Sequence, residues 1–358
     1  MNYFSMTPRL QATDPLTRDP NSVKKILIIQ TAFIGDVILT TPLIRETKRT
    51  FPKADIDVLV TPQTRNVLEN NPYLHSIFVF DKKSKKIRAF VKTAWLIREN
   101  RYDFCFAAHR SMTTAWLMIF GGVKNRIGFT GKSAARLMSR QVTFRQEVRQ
   151  IERYLDLLRV FKAGDLDSHT ELFFNDIILQ RTRQLISPLP SQKPILAVAP
   201  GSVRMTKRWP EERVVQLIRQ LADSDISIIL IGSPGEKALC DRIEKKSSDA
   251  QILNLAGVTS LLEAAAVIKS CDLLVCNDSG TMHMANAVQT DVFAFFGPTV
   301  AWLGFSPFRA GDKIFQVDLD CRPCSTHGGE ACPRGHFRCM LDISVDKVLD
   351  SIVQKLRR

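Results

Sequence analysis

Short runs of Val, Ile, Leu and Phe recur along the chain, separated by longer stretches in which apolar residues return every three or four positions. In the first half the runs fall at 26–29, 56–60, 77–80 and 104–107, and residues 37–50 and 87–98 have helical spacing between them. The second half repeats the pattern with runs at 195–199, 226–231, 252–255, 273–276 and 292–296. Between these lie helix-period stretches at 211–222, 235–246 and 260–270, and 345–356 reads as an amphipathic closing helix. Continuous apolar strands alternating with helices predict parallel sheets covered on both faces.

The chain of 358 residues is long for one core and comfortable for two. Residues 187–194 (SPLPSQKP) are Pro-rich and polar, as a linker would be. The predicted organisation is a polar tail at 1–23, an N-terminal domain at 24–186 and the linker at 187–194. A C-terminal domain then occupies 195–342, and the last helix 343–358. The fold class is α/β: two Rossmann-like, doubly wound domains facing a cleft. In open α/β sheets, ligands bind outside the carboxyl ends of the strands, so the loops after strands are where chemistry is sought.

Nothing in the chain approaches the ~18–20 apolar residues that cross a bilayer. The most apolar short run, 115–120 (AWLMIF), has the length of a core strand or helix piece. The first 24 residues lack the apolar core of a secretory signal. A cytoplasmic protein is expected.

The net charge of +14 changes the picture through its distribution. Residues 1–160 hold 27 Lys and Arg against 13 Asp and Glu, while residues 161–358 hold 23 of each. The whole excess therefore sits in the first half, including Lys82, Lys83, Lys85, Lys86 and Arg88. A one-sided basic field gathers an anionic partner: nucleic acid, an anionic membrane or a phosphorylated lipid. A solvated face without a partner is the plainer reading.

Four loops carry candidate chemistry. After the first strand, Gln30 to Asp36 reads QTAFIGD, with Gly35 permitting close approach and Asp36 at a helix start. Asp36 could accept a proton from an attacking hydroxyl, or simply favour the helix N-terminus. After strand 195–199, PGSVRMTKRWP brings Ser202 and Lys207 to a basic turn suited to phosphate. After strand 273–276, NDSGTMH places Asp278, Ser279 and Gly280 at a helix N-terminus, an anion site, with His283 about one turn in. After strand 226–231, Glu236 occupies the place where an acid often binds ribose hydroxyls. Taken singly, each has a structural alternative as a cap, a solvated loop or a core histidine. A dinucleotide G-x-G-x-x-G is missing from the first loop.

Together these pieces resemble the ADP-heptose:lipopolysaccharide heptosyltransferase family, glycosyltransferase family 9, and within it the heptosyltransferase II type. The resemblance rests on KKILIIQTAFIGDVILTTPLI, APGSVRMTKRWP, LAGVTSLLEAAAVIKSCDLLVCNDSGTMHMANA and VFAFFGPT, and runs from about Lys24 to the C-terminus. It implies a GT-B fold, with the acceptor on the N-terminal domain and ADP-heptose on the C-terminal one. Asp36 matches the family's general base, and Lys207 the lysine at the donor phosphate and sugar. Asp278, Ser279, Gly280 and His283 match the donor-gripping motif. Glu236 matches the ribose acid, Val258 and Thr259 fall at the adenine pocket, and Ser202 joins the phosphate loop. The resemblance implies inverting transfer of L-glycero-D-manno-heptose to the heptose/Kdo inner core, without a metal in catalysis. The basic half then meets a lipid A-core acceptor at the cytoplasmic face of the inner membrane.

Cys105, Cys240, Cys271 and Cys276 lie among apolar elements and read as core thiols. Cys321, Cys324, Cys332 and Cys339 cluster within 321–339, where a structural zinc and plain reduced thiols are both open readings. Rival functions are a family 9 transferase for another nucleotide sugar or core position, a nucleotide-sugar epimerase of similar build, and a basic nucleic-acid-binding protein. The last lacks a recognised binding motif.

Overall fold

The apolar runs pair as two parallel six-stranded sheets. The structure is a computed structural model describing residues 19–82, 86–162 and 164–357. Most of the expected tail, and Lys83 and Lys85 of the basic run, lie outside the described residues.

The first sheet holds β1 (Lys25–Ile29), β2 (Asp55–Val60), β3 (Ser76–Val79), β4 (Phe104–Ala107), β5 (Arg126–Phe129) and β6 (Arg140–Val142), in the order β3-β2-β1-β4-β5-β6. The second holds β7 (Ile195–Ala199), β8 (Ser227–Leu230), β9 (Ile252–Asn254), β10 (Leu273–Asn277), β11 (Asp291–Phe295) and β12 (Lys313–Phe315), in the order β12-β11-β10-β7-β8-β9. Counted from its own first strand, the second sheet has the strand order of the first. Both are doubly wound, with switch points between β1 and β4 and between β7 and β10.

Period-two alternation explains why the strands read as continuous apolar runs. Ile26 and Ile28 face one buried cluster while Leu27 and Ile29 face another. In β10, Leu274 and Cys276 point to the first cluster, and Leu273 and Val275 to a third on the far side of the second sheet. Each such Ile or Leu contributes about 1.5–3 kcal/mol relative to exposure, so a polar residue on either face would be costly.

The first half carries α1 (Ile34–Leu39), α2 (Thr41–Thr50), α3 (Lys86–Asn100), α4 (Met112–Phe120), α5 (Gln150–Asp156) and α6 (Asp176–Ile186). The second carries α7 (Glu211–Gln220), α8 (Lys237–Lys246), α9 (Leu261–Lys269), α10 (Gly280–Ala287), α11 (Arg338–Leu341) and α12 (Val345–Leu356). α6 packs against α9, and α12 against α7.

The stretch expected as one helix at 37–50 is two, α1 and α2. Pro42 has no N–H for the helix ladder, and the Ile38 carbonyl accepts from the Thr41 hydroxyl at 2.7 Å instead. The run 115–120 is helical, within α4. Cys105, Cys240, Cys271 and Cys276 are buried free thiols, Cys271 standing between α9 and β10.

Candidate active site

The site is built from loops at both switch points. After β1, the chain turns into α1, and Asp36 sits in its first turn. One carboxylate oxygen, Oδ2, accepts from the Phe33 backbone N–H at 3.3 Å, closing the helix start. The other, Oδ1, accepts from the Tyr154 hydroxyl at 2.9 Å. Asp36 is thus both a helix-start residue and a carboxylate held by a second element. Burial raises its pKa, against the hydrogen bonds from Tyr154 and Phe33 and the nearby His327, which lower it.

The loop after β4 completes this side. The Thr31 hydroxyl and His109 Nδ1 are 3.0 Å apart, and Lys82 Nζ donates to the Thr31 carbonyl at 2.8 Å. Arg110 lies over the Phe144 ring at 3.3 Å. Burial, and then the charges of Lys82, Lys132 and Arg110, push His109 down to about 4. The imidazole is therefore neutral at pH 7, among cations.

Across the cleft, β7 ends in the loop carrying Lys207. Lys207 Nζ meets Asp278 Oδ2 at 2.6 Å, and the Thr299 hydroxyl donates to the same oxygen at 2.7 Å. Asn277 clamps the two loops: its side chain donates to the Pro200 and Gly201 carbonyls at 2.8 and 3.0 Å and accepts from the Trp209 backbone N–H at 2.8 Å. Ser279 caps α10 with backbone geometry only, its buried hydroxyl without a partner among the described residues. His283 Nδ1 is likewise buried and unpartnered there. Burial lowers His283 to about 4, the attraction of Asp278 notwithstanding. Buried polar atoms of this kind are what a bound ligand satisfies.

The two sides touch through small residues. A methyl group on Gly35 would lie 2.6 Å from His283 Cδ2, so α1 seats directly on the ring. One on Gly280 would lie 3.8 Å from Gly35 N. The first turns of α1 and α10 therefore meet across the two halves of the chain, setting Asp36 beside the N-terminus of α10.

The chemistry supported here is removal of a proton on one side and stabilisation of an anion on the other. A family model described as glycosyltransferase family 9 (heptosyltransferase) matches residues 90–331. The chain belongs to glycosyltransferase family 9. This family 9 chain is 25% identical over 350 residues to lipooligosaccharide heptosyltransferase 2 of Haemophilus ducreyi, across 93% of this chain and 99% of that one. Two solved structures share its fold. One is the Escherichia coli ADP-heptose LPS heptosyltransferase II, with 24% identity, TM-score 0.76 and 93% and 98% of the two chains covered. The other is a family 9 glycosyl transferase from Veillonella parvula, with 20% identity, TM-score 0.83 and 93% and 97% covered.

The remaining expected residues of this family 9 chain fall on the same rim of the second sheet. Glu236 Oε2 accepts from the Ser233 N–H and hydroxyl, both at 2.8 Å, so this oxygen caps α8's entry. Its Oε1 lies against Gly201, in the space a side chain there would fill. Val258, half exposed, and Thr259 follow β9 beside this loop, where the Gly257 N–H donates to the Gly232 carbonyl at 2.9 Å. Ser202 is buried, and its carbonyl accepts from Arg208 at 2.7 Å.

The Cys-rich segment docks on the Lys207 loop. The Thr206 hydroxyl and N–H each donate to the Gly329 carbonyl at 3.0 Å, and Arg204 pairs with Glu330 at 3.0 Å. Cys321 Sγ lies 3.8 Å from His336 Nε2. Among the described residues, no three His, Cys, Asp or Glu side chains are grouped so as to hold a metal ion.

Sequence reading missed Tyr154, His109, Arg110 and Thr299. His109 and Arg110 had a signal, since they follow β4 at the switch point. Tyr154 had none, being 118 residues from its partner.

Proposed function

We propose that the chain transfers L-glycero-D-manno-heptose from ADP-heptose to the heptose/Kdo inner core of lipopolysaccharide, with inversion at the anomeric carbon. The observation that carries this is the meeting of Asp36 with the N-terminus of α10 through Gly35 and His283, in a chain of this family. Asp36 takes the proton of an acceptor hydroxyl as that oxygen forms a bond to the anomeric carbon. The bond from that carbon to the diphosphate breaks on the opposite face, and ADP leaves with the electron pair. Lys207 and the free N–H groups at Ser279–Gly280 stabilise the growing negative charge. Ser202 lies on the same phosphate-facing rim, Glu236 and its neighbour Gly201 flank the ribose, and Val258 and Thr259 border the adenine.

Lys82, His109, Arg110 and Lys132 form the acceptor side, suited to a phosphorylated core. The basic N-terminal half supports work at an anionic membrane face, which we place on the cytoplasmic side of the inner membrane. No helix among the described residues is long and apolar enough to cross it.

A structural zinc on Cys321, Cys324, Cys332 and Cys339 is a separate proposal, outside the transfer step. Burial, followed by the charge of Cys321 and Cys332, holds the Cys324 thiol above its usual range. Zinc would require the thiols to draw together on one point. Stoichiometric zinc in the purified chain supports it; zinc-free, active protein overturns it.

The transfer reading is tested by acceptor-dependent ADP release. Wild type should release ADP only with heptose-primed core, and Asp36→Asn should bind donor yet release ADP ~10²–10⁴-fold more slowly. Failure with every core acceptor, alongside turnover of another nucleotide sugar, would sink the heptose assignment.

A further inference from the structure

The first half exposes an apolar surface that the transfer reaction does not use. On α3, Ile87, Val91 and Trp95 follow one another at every fourth position and stand 82%, 60% and 62% exposed. Thr93, Ala94 and Ile97, on the adjoining side of the helix, are buried. On α4, Met112, Trp116 and Phe120 repeat the spacing, also exposed. Phe90, next to Val91 on α3, brings the two helices together. Phe90 and Phe120 meet edge to face at 5.8 Å, Trp116 and Phe120 at 5.8 Å, and these rings with Thr113 line a shallow groove of about 350 Å³. Contiguous exposed aromatic residues on a monomer mark an interaction surface.

Charge selects the occupant. Lys86, Arg88, Lys92 and Arg98 are exposed on α3 beside the stripe, and Glu99 is the sole acid on either helix. A second copy of a chain with net charge +14 would bring like charge to like. Apolar and Trp side chains flanked by Lys and Arg match the lipid–water interface: rings enter at headgroup level while cations face anionic headgroups. Placement agrees. α4 begins two residues after Arg110, and α3 four residues after Lys82, which is bound to the loop of Asp36. Both stripes therefore start at the sheet edge that holds the acceptor side.

We propose that the α3–α4 face docks on anionic phospholipid bilayers, inserting Ile87, Val91, Trp95, Trp116 and Phe120 between headgroups. This deepens the membrane placement proposed above and rests on it. Vesicle binding needs neither donor nor acceptor, so its failure leaves the transfer reaction standing, and the converse holds.

The test uses the full chain with vesicles of phosphatidylcholine and phosphatidylglycerol, against phosphatidylcholine alone. Wild type should cosediment with the anionic vesicles, and bromine-labelled acyl chains should quench its Trp fluorescence. The Trp95→Ser/Trp116→Ser/Phe120→Ser variant should melt as wild type does and bind at least roughly tenfold more weakly. Lys86→Glu/Arg88→Glu/Lys92→Glu, with every ring kept, should lose the preference for anionic lipid. Wild-type cosedimentation by a folded triple Ser variant would overturn the proposal. So would a wild-type dimer that the same variant splits while its vesicle binding stays unchanged, which would assign the face to protein contact.

Discussion

Tyr154 donates its hydroxyl to Asp36 Oδ1 at 2.9 Å, tying a buried ring on α5 to the carboxylate that begins α1. The bond favours the charged form of a group that burial drives toward neutrality. In the proposed transfer Asp36 must be ionised to act as base, which would make Tyr154 a positioning residue that keeps Asp36 usable near neutral pH. Tyr154→Phe should raise the Asp36 pKa further and shift the acidic limb of kcat/KM to higher pH by about 1–2 units, given ~1.5–3 kcal/mol for a hydrogen bond to a charged group. A purely structural role would lower activity evenly at every pH. The profile from pH 5 to 9 separates the two.

The same burial has a cost in stability. A carboxyl whose folded pKa lies above its unfolded value binds its proton more tightly when folded, so its contribution falls as pH rises through that range. Asp36→Asn should therefore melt higher than wild type at pH 7–8, and the gain should vanish near pH 4, while ADP release drops by ~10²–10⁴. Calorimetry at the two pH values, beside turnover, checks both halves. Equal melting at pH 8 would remove the argument from burial.

Lys207 and Asp278 form a partly desolvated pair, with side chains 14% and 7% exposed. Removing Lys207 leaves Asp278 with the Thr299 hydroxyl, and breaking such a pair costs ~3–5 kcal/mol. Lys207→Met should lose stability of that order and ~10²–10³ in kcat. Lys207→Met/Asp278→Asn should recover most of the stability and none of the rate. Recovery of rate in the double variant would show that Lys207 serves only to neutralise Asp278.

The sheets were legible because both faces are covered: β1 and β10 are apolar at every position before their last residue or after their first. The strands at β5, β6 and β12 were not. They open on Arg126, Arg140 and Lys313, are three or four residues long, and β6 and β12 lie at sheet edges where charge is tolerated. In the site, Asp36, Lys207 and Asp278 could be read because each follows a strand at a switch point. The helix-capping share of Glu236 was also readable, in the spacing from Ser233. Tyr154 and Thr299 reach their carboxylates through the tertiary fold, and no local spacing announces them.

His109 and His283 are both pushed to about 4, chiefly by burial. The folded state holds them neutral, so the stability they contribute is present above their ordinary 6.5 and is lost as pH falls toward about 4. Tm should fall through that window, and His109→Asn should flatten the fall. An unchanged slope in the variant would mean that other groups govern the acid limb.

Gly35 and Gly280 separate steric contact from helix propensity. Both lie in helices, where Ala is ordinarily better than Gly by ~1 kcal/mol. At Gly35 the added methyl would sit 2.6 Å from Cδ2 of the buried His283 ring, inside any tolerated contact. Overpacking of that kind costs ~1–3 kcal/mol, so the contact outweighs the propensity. At Gly280 the nearest atom is Ile34 Cγ2 at 3.4 Å, at the border of ordinary contact. Gly35→Ala should lower Tm and cut turnover sharply by prising α1 from α10, since Asp36 follows it directly. Gly280→Ala should keep the wild-type Tm to within a degree or two. Thermal melts with ADP release for the two variants decide it. If Gly35→Ala keeps full activity, the seating of α1 on His283 does not place the base.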